Sequence, residues 1–330
     1  MKARQYNLVA DIGGTNARFA LVDDLKPGLL ETRSLRVADF PSLVYAARAY
    51  LEQVGLGNPY RAAISVAAPV TGDQLNMTNH TWNFSVREVR EALGLHHLKV
   101  LNDYTALALA LPFFTKNQSF KVGSGSGLNR HPIAVLGPGT GLGVSAVFPT
   151  GNRWVPLEGE GGHVSYGPVN AREHEIVEVL REKLNHVSAE SLVSGPGLSA
   201  IYAAITRLDG GAAERLSPVE VTDLALEGGS ALATEALSVF CGILGTVAGN
   251  LALTVGARGG VYIGGGIVPK FLDYFTVSVF RERFEQHGRL TPYLRSISTC
   301  VITASNPALG GAAVALGRDY ENLGVVSRNS

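Results

Sequence analysis

The sequence predicts an α/β protein built from two related halves. Apolar segments of strand length alternate along the chain with segments of helical periodicity, a pattern typical of that class. A strand, a glycine-rich turn and a second strand occupy 7–23, and the same pattern returns at 132–149, about 125 residues later. Two such units at this separation favour two related halves over an array of short repeats.

The composition is that of a globular protein with room for two domains. The chain has 330 residues, 46% of them hydrophobic and 17% charged, so its core needs no disulfide or metal. Its 28 basic and 28 acidic residues balance without a run of Lys or Arg, which argues against a nucleic-acid partner or a polybasic membrane anchor. Cys241 and Cys300 lie far apart in apolar surroundings, as expected of buried, reduced thiols.

The sequence also predicts a cytoplasmic protein. The N-terminal segment enters a strand at once and leaves no room for the apolar core of a signal peptide. We expect no membrane span, because no apolar stretch approaches the roughly 20 residues that one requires.

The first half alternates strands and helices up to a proline. Periodicity predicts, in order, strands at 7–11 and 17–23, a helix at 40–54, strands at 61–70 and 98–103, and a helix at 104–111. Pro112 ends that last helix and marks the predicted boundary between the halves.

The second half opens with a Gly/Ser-rich loop. The predicted elements are, in order, that loop at 120–130, the strand–turn–strand unit at 132–149, Ala/Leu-rich helices within 217–257, and a strand in 259–271 that ends in glycines. A final helix is predicted after Asn306 as N-cap, with Pro307 at its first position.

The first glycine turn does not open a helix. It lacks G-x-x-x-x-G-K-[ST] and G-x-G-x-x-G, and the residues after it alternate as in a strand. Glycines in a hairpin can still bind phosphate, because they adopt positive φ and expose backbone N–H groups that no Cβ covers. The carboxylate of Asp11 is suited to Mg²⁺ and the waters that the ion carries. The segment comprises Ala10, Asp11, Ile12, Gly13, Gly14 and Thr15. Taken alone, an ordinary hairpin turn with a capping Asp explains it equally well.

Two further glycine-rich turns follow apolar strands. They are Gly139-Thr140-Gly141 and Gly264-Gly265-Gly266. A glycine costs up to about 1 kcal/mol of stability relative to Ala inside an element, so three glycine-rich turns are more easily explained by ligand binding than by structure. One turn from each half would bind phosphate, and the remaining turn would leave a flat surface for adenine or ribose.

Polar residues that could bind or react with a ligand lie at the end of the strand predicted at 98–103 and near residue 160. Asn102 and Asp103 end that strand, where ligands of α/β sheets gather; Asp103 is either a general base or the N-cap of the next helix. Glu160 and His163 flank two glycines and offer an acceptor and an imidazole to vicinal hydroxyls. A metal pair is disfavoured because no HExxH and no second ligand at suitable spacing occur, whereas a plain solvated loop stays open.

Together these segments resemble the bacterial-type glucokinase family. The matching stretches are ADIGGTNARFAL, AAPVTG, MTNHTWNFS, LNDYTALALALP, LGPGTGLGV, GEGGHVSYGP, HVSAESLVSGPGL and YIGGGIVPK, in the family's order from residue 10 to 270, and SNPALGGAA fits its C-terminal end. The resemblance implies the two-domain actin-like (RNase H-like) ATPase fold with an interdomain cleft. It places a small α/β domain at 1–112 plus about 306–330 and a large α/β domain at 113–305, and it implies a homodimer.

The resemblance also implies an activity and its residues. It implies ATP-dependent phosphorylation of the 6-hydroxyl of D-glucose with Mg²⁺, the first step of glycolysis, with Asp103 as base. The implied glucose ligands are Asn102, Asp103, Glu160, His163, Glu190 and Asn79. The three glycine turns would hold ATP, and Asp11 would contact Mg²⁺ through water. Glu190, which the pattern alone would leave as a solvated helical residue, rests on the resemblance only.

Rival functions predict features that the sequence lacks or does not favour. The related kinase/repressor sugar family carries a Cys-rich zinc motif and, in its repressors, an N-terminal helix-turn-helix, whereas this chain has two distant cysteines and a strand from residue 7. An inactive sugar sensor would have lost the base at Asp103. A polyphosphate-using kinase would need a basic track for its polyanion. Trp82 is expected to pack rather than bind.

Overall fold

The structure, a computed structural model, describes residues 6–23, 28–55, 58–77, 82–211 and 216–316. The chain divides into two compact units, which we call unit 1 (Met1–Thr115 with Ala304–Ser330) and unit 2 (Lys116–Thr303).

Unit 1 is built on a five-stranded sheet. Its elements before the crossing to unit 2 are β1 (Tyr6–Ile12), β2 (Asn16–Asp23), β3 (Leu29–Arg36), α1 (Leu43–Val54), β4 (Arg61–Val66), β5 (Gln74–Asn76), β6 (Asn83–Ser85), α2 (Val86–Ala92), β7 (His97–Asn102) and α3 (Asp103–Ala110). The sheet has the order β3-β2-β1-β4-β7; β1, β4 and β7 run parallel, and β2 and β3 are antiparallel additions. Strands β5 and β6 form a separate hairpin.

Unit 2 is built on a six-stranded sheet and a long central helix. Its elements are β8 (Ser119–Val122), β9 (Ile133–Pro138), β10 (Leu142–Thr150), β11 (Arg153–Leu157), α4 (Ala171–Arg181), α5 (Gly195–Leu208), α6 (Pro218–Leu226), α7 (Ala231–Val255), β12 (Gly260–Ile263), α8 (Leu272–Val277), α9 (Phe280–Glu285), α10 (Thr291–Ser296) and β13 (Thr299–Ile302). The sheet has the order β11-β10-β9-β12-β13-β8. The chain then returns to unit 1 as α11 (Pro307–Ala315).

The two sheets share one plan, as the repeated strand–turn–strand pattern predicted. In each, an antiparallel three-strand meander is followed by two parallel strands added beside its first strand. Strand β8 is the extra edge of the second sheet. The carboxyl ends of the parallel strands therefore fall at one edge of each sheet, where ligands of α/β sheets bind.

Helix α7 forms the middle of the unit 2 core. Ser230 caps it by accepting a hydrogen bond from the N–H of Ala233, and Gly256 ends it with a φ of 64°. The helix has 25 residues, and an 18-residue window within it has a mean hydropathy of 1.8, which is enough for a membrane span by length and composition. The expectation that no stretch reaches that length was therefore wrong, but 72% of the helix's apolar window is buried inside the protein, as in a core helix.

Helix α11 covers the unit 1 sheet face opposite α1. Leu309, Ala312 and Ala313 pack there against Val9 and Ala63. It also lies against α3, where a Cβ on Gly311 would overlap the carbonyl of Ala106. The small residues of this helix thus permit a backbone approach that larger side chains would prevent.

Several predicted boundaries were wrong for identifiable reasons. The strand predicted at 61–70 stops at Val66, three residues before Pro69. The loop predicted at 120–130 begins inside β8, because its partner β13 lies far along the chain. Asn306 does precede α11, but its backbone is left-handed (φ 54°) and its side chain makes no cap hydrogen bond. The cap alternative for Asp103 was also wrong, since the cap is Asn102.

Candidate active site

The first glycine turn and Asp103 leave the same edge of the unit 1 sheet. Ile12, Val66 and Asn102 lie side by side at the ends of the parallel strands β1, β4 and β7. Gly13 and Asp103 each follow by one residue. Since neighbouring strands are about 4.8 Å apart, the two chain segments leave the sheet roughly 10 Å from each other.

Asn102 holds the start of α3 and so places Asp103. Its Oδ1 accepts hydrogen bonds from the N–H groups of Tyr104 (2.9 Å) and Thr105 (3.3 Å). This carbonyl oxygen is occupied by the cap, and Nδ2 donates to the carbonyl of Ala68 at 3.4 Å. Asn102 therefore has one amide N–H, rather than an acceptor, to offer a ligand.

Burial and a neighbouring negative charge raise the pKa of the Asp103 carboxyl group. Burial first, and then the negative charge of Asp11, raise the pKa of Asp103 to about 6, while hydrogen bonds such as the one from the N–H of Tyr104 (2.9 Å) oppose the rise. A carboxylate with such a pKa is ionised at pH 7 yet basic enough to accept a proton from a reacting hydroxyl.

Asp11 is a buried carboxylate with two polar partners. Its Oδ1 accepts from the hydroxyl of Ser65 at 2.8 Å, and its Oδ2 accepts from the guanidinium of Arg18 at 3.2 Å. Burial raises the pKa of Asp11, against the opposing effects of Ser65 and Arg18.

The surroundings of Asp11 fit magnesium only through water. No three His, Cys, Asp or Glu residues of the described ranges cluster as a metal site, and each oxygen of Asp11 already accepts one bond. A carboxylate has about four lone-pair sites, so each oxygen retains acceptor capacity for a metal-bound water. This suits Mg²⁺ carried by a nucleotide, which keeps several waters.

The first glycine turn is open rather than strained. The N–H of Gly13 closes it on the carbonyl of Asn16 at 3.0 Å. Neither Gly13 nor Gly14 has a positive φ, contrary to the expected use of these glycines. A Cβ on Gly13 would make only an ordinary contact of 3.5 Å, so the fold itself does not require glycine there, and the space is left for something that approaches the backbone.

The second and third glycine turns lie together in unit 2. The N–H of Gly264 donates to the carbonyl of Leu136 at 2.8 Å, and Gly265, with a φ of 80°, packs against Pro138 so closely that a Cβ would collide with it. Gly139 and Gly266, in contrast, have nothing within 4 Å of an added Cβ. The two turns thus form one glycine-lined corner with open space over it.

The predicted sugar residues of unit 2 converge on one backbone ladder. The N–H of Glu190 donates to the carbonyl of Gly162 at 2.8 Å, and that of Ala189 donates to Val164 at 2.9 Å. His163 Nδ1 lies 3.9 Å from Glu190 Oε1. Glu160, which is exposed, begins the short helical turn that carries His163. Glu190 lies in a turn, so the helical setting assumed for it was wrong.

Glu190 also contacts the second glycine turn. Its Oε2 accepts a hydrogen bond from the N–H of Leu142 at 2.7 Å, directly after Gly141. This is a charge-assisted bond of the stronger kind. One carboxylate therefore joins the turn at 139–141 to the ladder that carries Glu160 and His163.

A buried ion pair supports the same segment. Glu173 pairs with Arg283 at 2.6 Å and is 2% exposed. It also accepts from the hydroxyl of Tyr166 (2.6 Å) and the N–H of Val169 (3.1 Å). These bonds fix the chain just beyond His163.

A cavity of about 290 Å³ behind this segment is a different feature. Val144, Val164 and Leu251 are among its mostly apolar lining, and none of Glu160, His163 and Glu190 contributes to it. The cavity is therefore not the predicted sugar site. Asn79, the remaining predicted sugar residue, lies outside the described residues.

The sequence reasoning missed three partners. The contact between Arg18 and Asp11 could have been predicted from the sequence, because a hairpin centred on the first glycine turn pairs these two residues. The other two partners could not have been predicted, because their contacts join remote parts of the chain. Ser65 lies 54 residues from Asp11, and Leu142 lies 48 residues from Glu190.

Comparison with known proteins identifies the family. The glucokinase family model matches residues 8–319. A glucokinase of Aromatoleum aromaticum is 50% identical over 312 residues, which cover 94% of each chain. The crystal structure of a glucokinase from an Antarctic psychrotroph aligns with a TM-score of 0.87 at 38% identity and covers 95% of this chain and 99% of its own.

A more distant neighbour shares the fold. The structure of a ROK family glucokinase from Streptomyces griseus, in complex with glucose and AMPPNP, aligns with a TM-score of 0.62 at 18% identity over 94% of this chain and 98% of its own. The predicted actin-like ATPase fold is confirmed by these neighbours. By its sequence and its fold, the chain belongs to the glucokinase family.

Proposed function

We propose that the chain is an ATP-dependent glucokinase that phosphorylates the 6-hydroxyl of D-glucose, with Asp103 as general base. The observation that carries the role of Asp103 is its position: a carboxylate with a pKa of about 6 leaves the same sheet edge as an open glycine turn. Family membership supports the reaction itself. Units 1 and 2 are, in this proposal, the small and large domains of the fold.

The proposed step is an in-line phosphoryl transfer. The bond from O6 of glucose to the γ-phosphorus forms as the bond from that phosphorus to the β,γ-bridging oxygen breaks, and ADP leaves. Asp103 accepts the O6 proton and later returns it to solvent. General base catalysis of this kind contributes roughly 10²–10⁴ in rate, and positioning and charge stabilisation supply the remainder.

The nucleotide is assigned to the three glycine turns, Ala10–Thr15, Gly139–Gly141 and Gly264–Gly266. Glycine-rich turns bind phosphate oxygens through their backbone N–H groups. The N–H groups of Gly13, Gly139 and Gly264 donate within the fold, but the open space over Gly139 and Gly266 supports a close approach of phosphate to the turns. Mg²⁺ bound with the nucleotide would supply positive charge to the phosphate oxygens, with Asp11 orienting one of its waters.

Glucose is assigned to Asn102, Asp103, Glu160, His163 and Glu190, with Asn79 as a further contact. Asn102 donates, whereas the carboxylates accept from sugar hydroxyls. A site that pairs each hydroxyl rejects sugars lacking one, because a polar group is then left unpaired. We further propose a cytoplasmic homodimer, on the family resemblance; light scattering of the purified protein would test the dimer.

A donor and acceptor panel tests the function. Glucose, 2-deoxyglucose, mannose and glucosamine are each incubated with ATP or polyphosphate, and the hexose phosphates formed are separated by chromatography and quantified. We expect turnover with glucose and ATP and a strict need for Mg²⁺. Turnover with polyphosphate in the absence of nucleotide, or no hexose phosphate from any combination, would contradict the proposal.

A further inference from the structure

The side chain of Glu190, rather than the backbone conformation of Gly141, requires a glycine at position 141. It has no positive φ, so the turn could accommodate another residue. An added Cβ would, however, lie 3.1 Å from Cδ of Glu190 and closer still to its Oε2. The absent side chain of Gly141 is therefore the space that the carboxylate of Glu190 occupies.

The carboxylate is held in that space from one side only. Oε2 accepts the N–H of Leu142 at 2.7 Å, while Oε1 is turned toward Nδ1 of His163 at 3.9 Å. The side chain of Glu190 is 32% exposed. One oxygen is thus anchored on the glycine turn, and the other remains available to a ligand beside His163.

We propose that Gly141 is a positioning residue for glucose: by leaving room for the Glu190–Leu142 hydrogen bond, a residue of the phosphate-binding turn sets the affinity for the sugar. The inference rests on the proposed function, in which Glu190 binds glucose. It adds that the turn assigned to phosphate acts on the sugar in the absence of nucleotide.

Gly141→Ala is the direct test, with Gly167→Ala as its matched control. The methyl group of Gly141→Ala displaces the carboxylate from the Leu142 N–H, because the end of a flexible side chain yields before the backbone does. The displaced carboxylate no longer meets its sugar hydroxyl, and because a hydrogen bond to a charged group is worth about 1.5–3 kcal/mol, glucose affinity should fall roughly tenfold to a hundredfold. Gly167→Ala adds the same methyl elsewhere in unit 2, at a glycine that has no positive φ and nothing within 4 Å of an added Cβ, and glucose affinity without nucleotide should be unchanged.

A double-mutant cycle shows whether the effect acts through Glu190. Glucose dissociation constants are measured by calorimetry without nucleotide for wild type, Gly141→Ala, Glu190→Ala and the double variant. Once Glu190 is truncated, the methyl of Gly141→Ala has no carboxylate to displace. The second substitution should then weaken glucose binding by less than twofold, a strong departure from additivity.

The outcomes separate this inference from the proposed function. If the wild type binds no glucose, the proposed function itself is wrong. If the wild type binds glucose and Gly141→Ala binds it equally well, or if its effect persists undiminished with Glu190→Ala, the inference is overturned while the function stands. Thermal unfolding of each variant confirms that the fold is intact, and Glu190→Asp in the Gly141→Ala background, whose shorter side chain avoids the methyl, should recover part of the lost affinity.

Discussion

Asp11 and Asp103 lie two strands apart at one edge of the unit 1 sheet, on either side of β4. After burial, the charge of Asp11 is the largest cause of the raised pKa of Asp103. The group assigned to a magnesium-bound water and the group assigned to proton transfer are therefore electrostatically coupled within one unit.

This coupling predicts the pH profile. Because Asp103 must be ionised to accept a proton, kcat/KM for glucose should fall as the pH is lowered through about 6. Asp11→Asn removes a like charge, so the acid limb of its profile should move to lower pH. Asp39→Asn, an exposed change in the same unit, is the control and should leave the limb in place. An acid limb that moves upward in Asp11→Asn would contradict the assignment.

Asp103→Asn should stabilise the protein at neutral pH. A carboxyl group whose folded pKa is raised binds its proton more tightly in the folded state, so the contribution of Asp103 to the free energy of unfolding is greatest at low pH and falls as the pH rises from about 4 to about 6. The ionised group costs roughly 1–3 kcal/mol at pH 7, and Asn retains an oxygen for the N–H of Tyr104. Urea unfolding should show the gain at pH 7.5 and little difference near pH 4. An equal loss of stability at both pH values would refute this.

Breaking the Glu173–Arg283 pair should destabilise unit 2 and weaken glucose binding. Glu173→Gln leaves the Arg283 guanidinium, 12% exposed, without its anionic partner, and such a loss costs about 3 kcal/mol or more. Glu182→Gln breaks the exposed pair with Arg207 and should change stability little. Urea unfolding and glucose titration of both variants test this; equal effects of the two substitutions would contradict it.

Glu160→Gln should affect the sugar more than the nucleotide. The charge of an acceptor is lost while the shape is kept, and we expect glucose affinity to fall about tenfold with ATP affinity nearly unchanged. Glu158→Gln, two residues earlier and also exposed, is the matched control. Calorimetry with glucose and with ATP measures the two affinities separately for each variant. An unchanged glucose affinity in Glu160→Gln would show that Glu160 does not bind the sugar.

Most of the fold could be predicted from the sequence, because local sequence patterns determine its strands and turns. The buried strands β1 and β4 contain continuous apolar runs, at 8–10 and 62–64. The glycine turns punctuate the strands, and the motifs from Asp11 to Gly266 sufficed to identify the family and the actin-like fold. Strand β8 was missed because its partner, Thr299–Ile302, is remote in sequence. Pairing of that kind leaves no periodic signal.

The site was less predictable than the fold. Residue types and spacing singled out Asp103 and the glycines. The cap of α3 is a local feature that the sequence left open at Asp103, one residue after the true cap Asn102, whereas the Ser65 contact of Asp11 and the bond between Glu190 and Leu142 depend on tertiary approach. The reason for glycine at 141 was likewise invisible, since it lies in a side chain 49 residues further along.

The turnover of Asp103→Asn tests the central claim most directly. With glucose and ATP saturating, kcat should fall by roughly 10²–10⁴, while calorimetry shows a glucose dissociation constant within a few-fold of wild type. A variant that binds glucose normally and turns it over at nearly the wild-type rate would show that Asp103 is not the base.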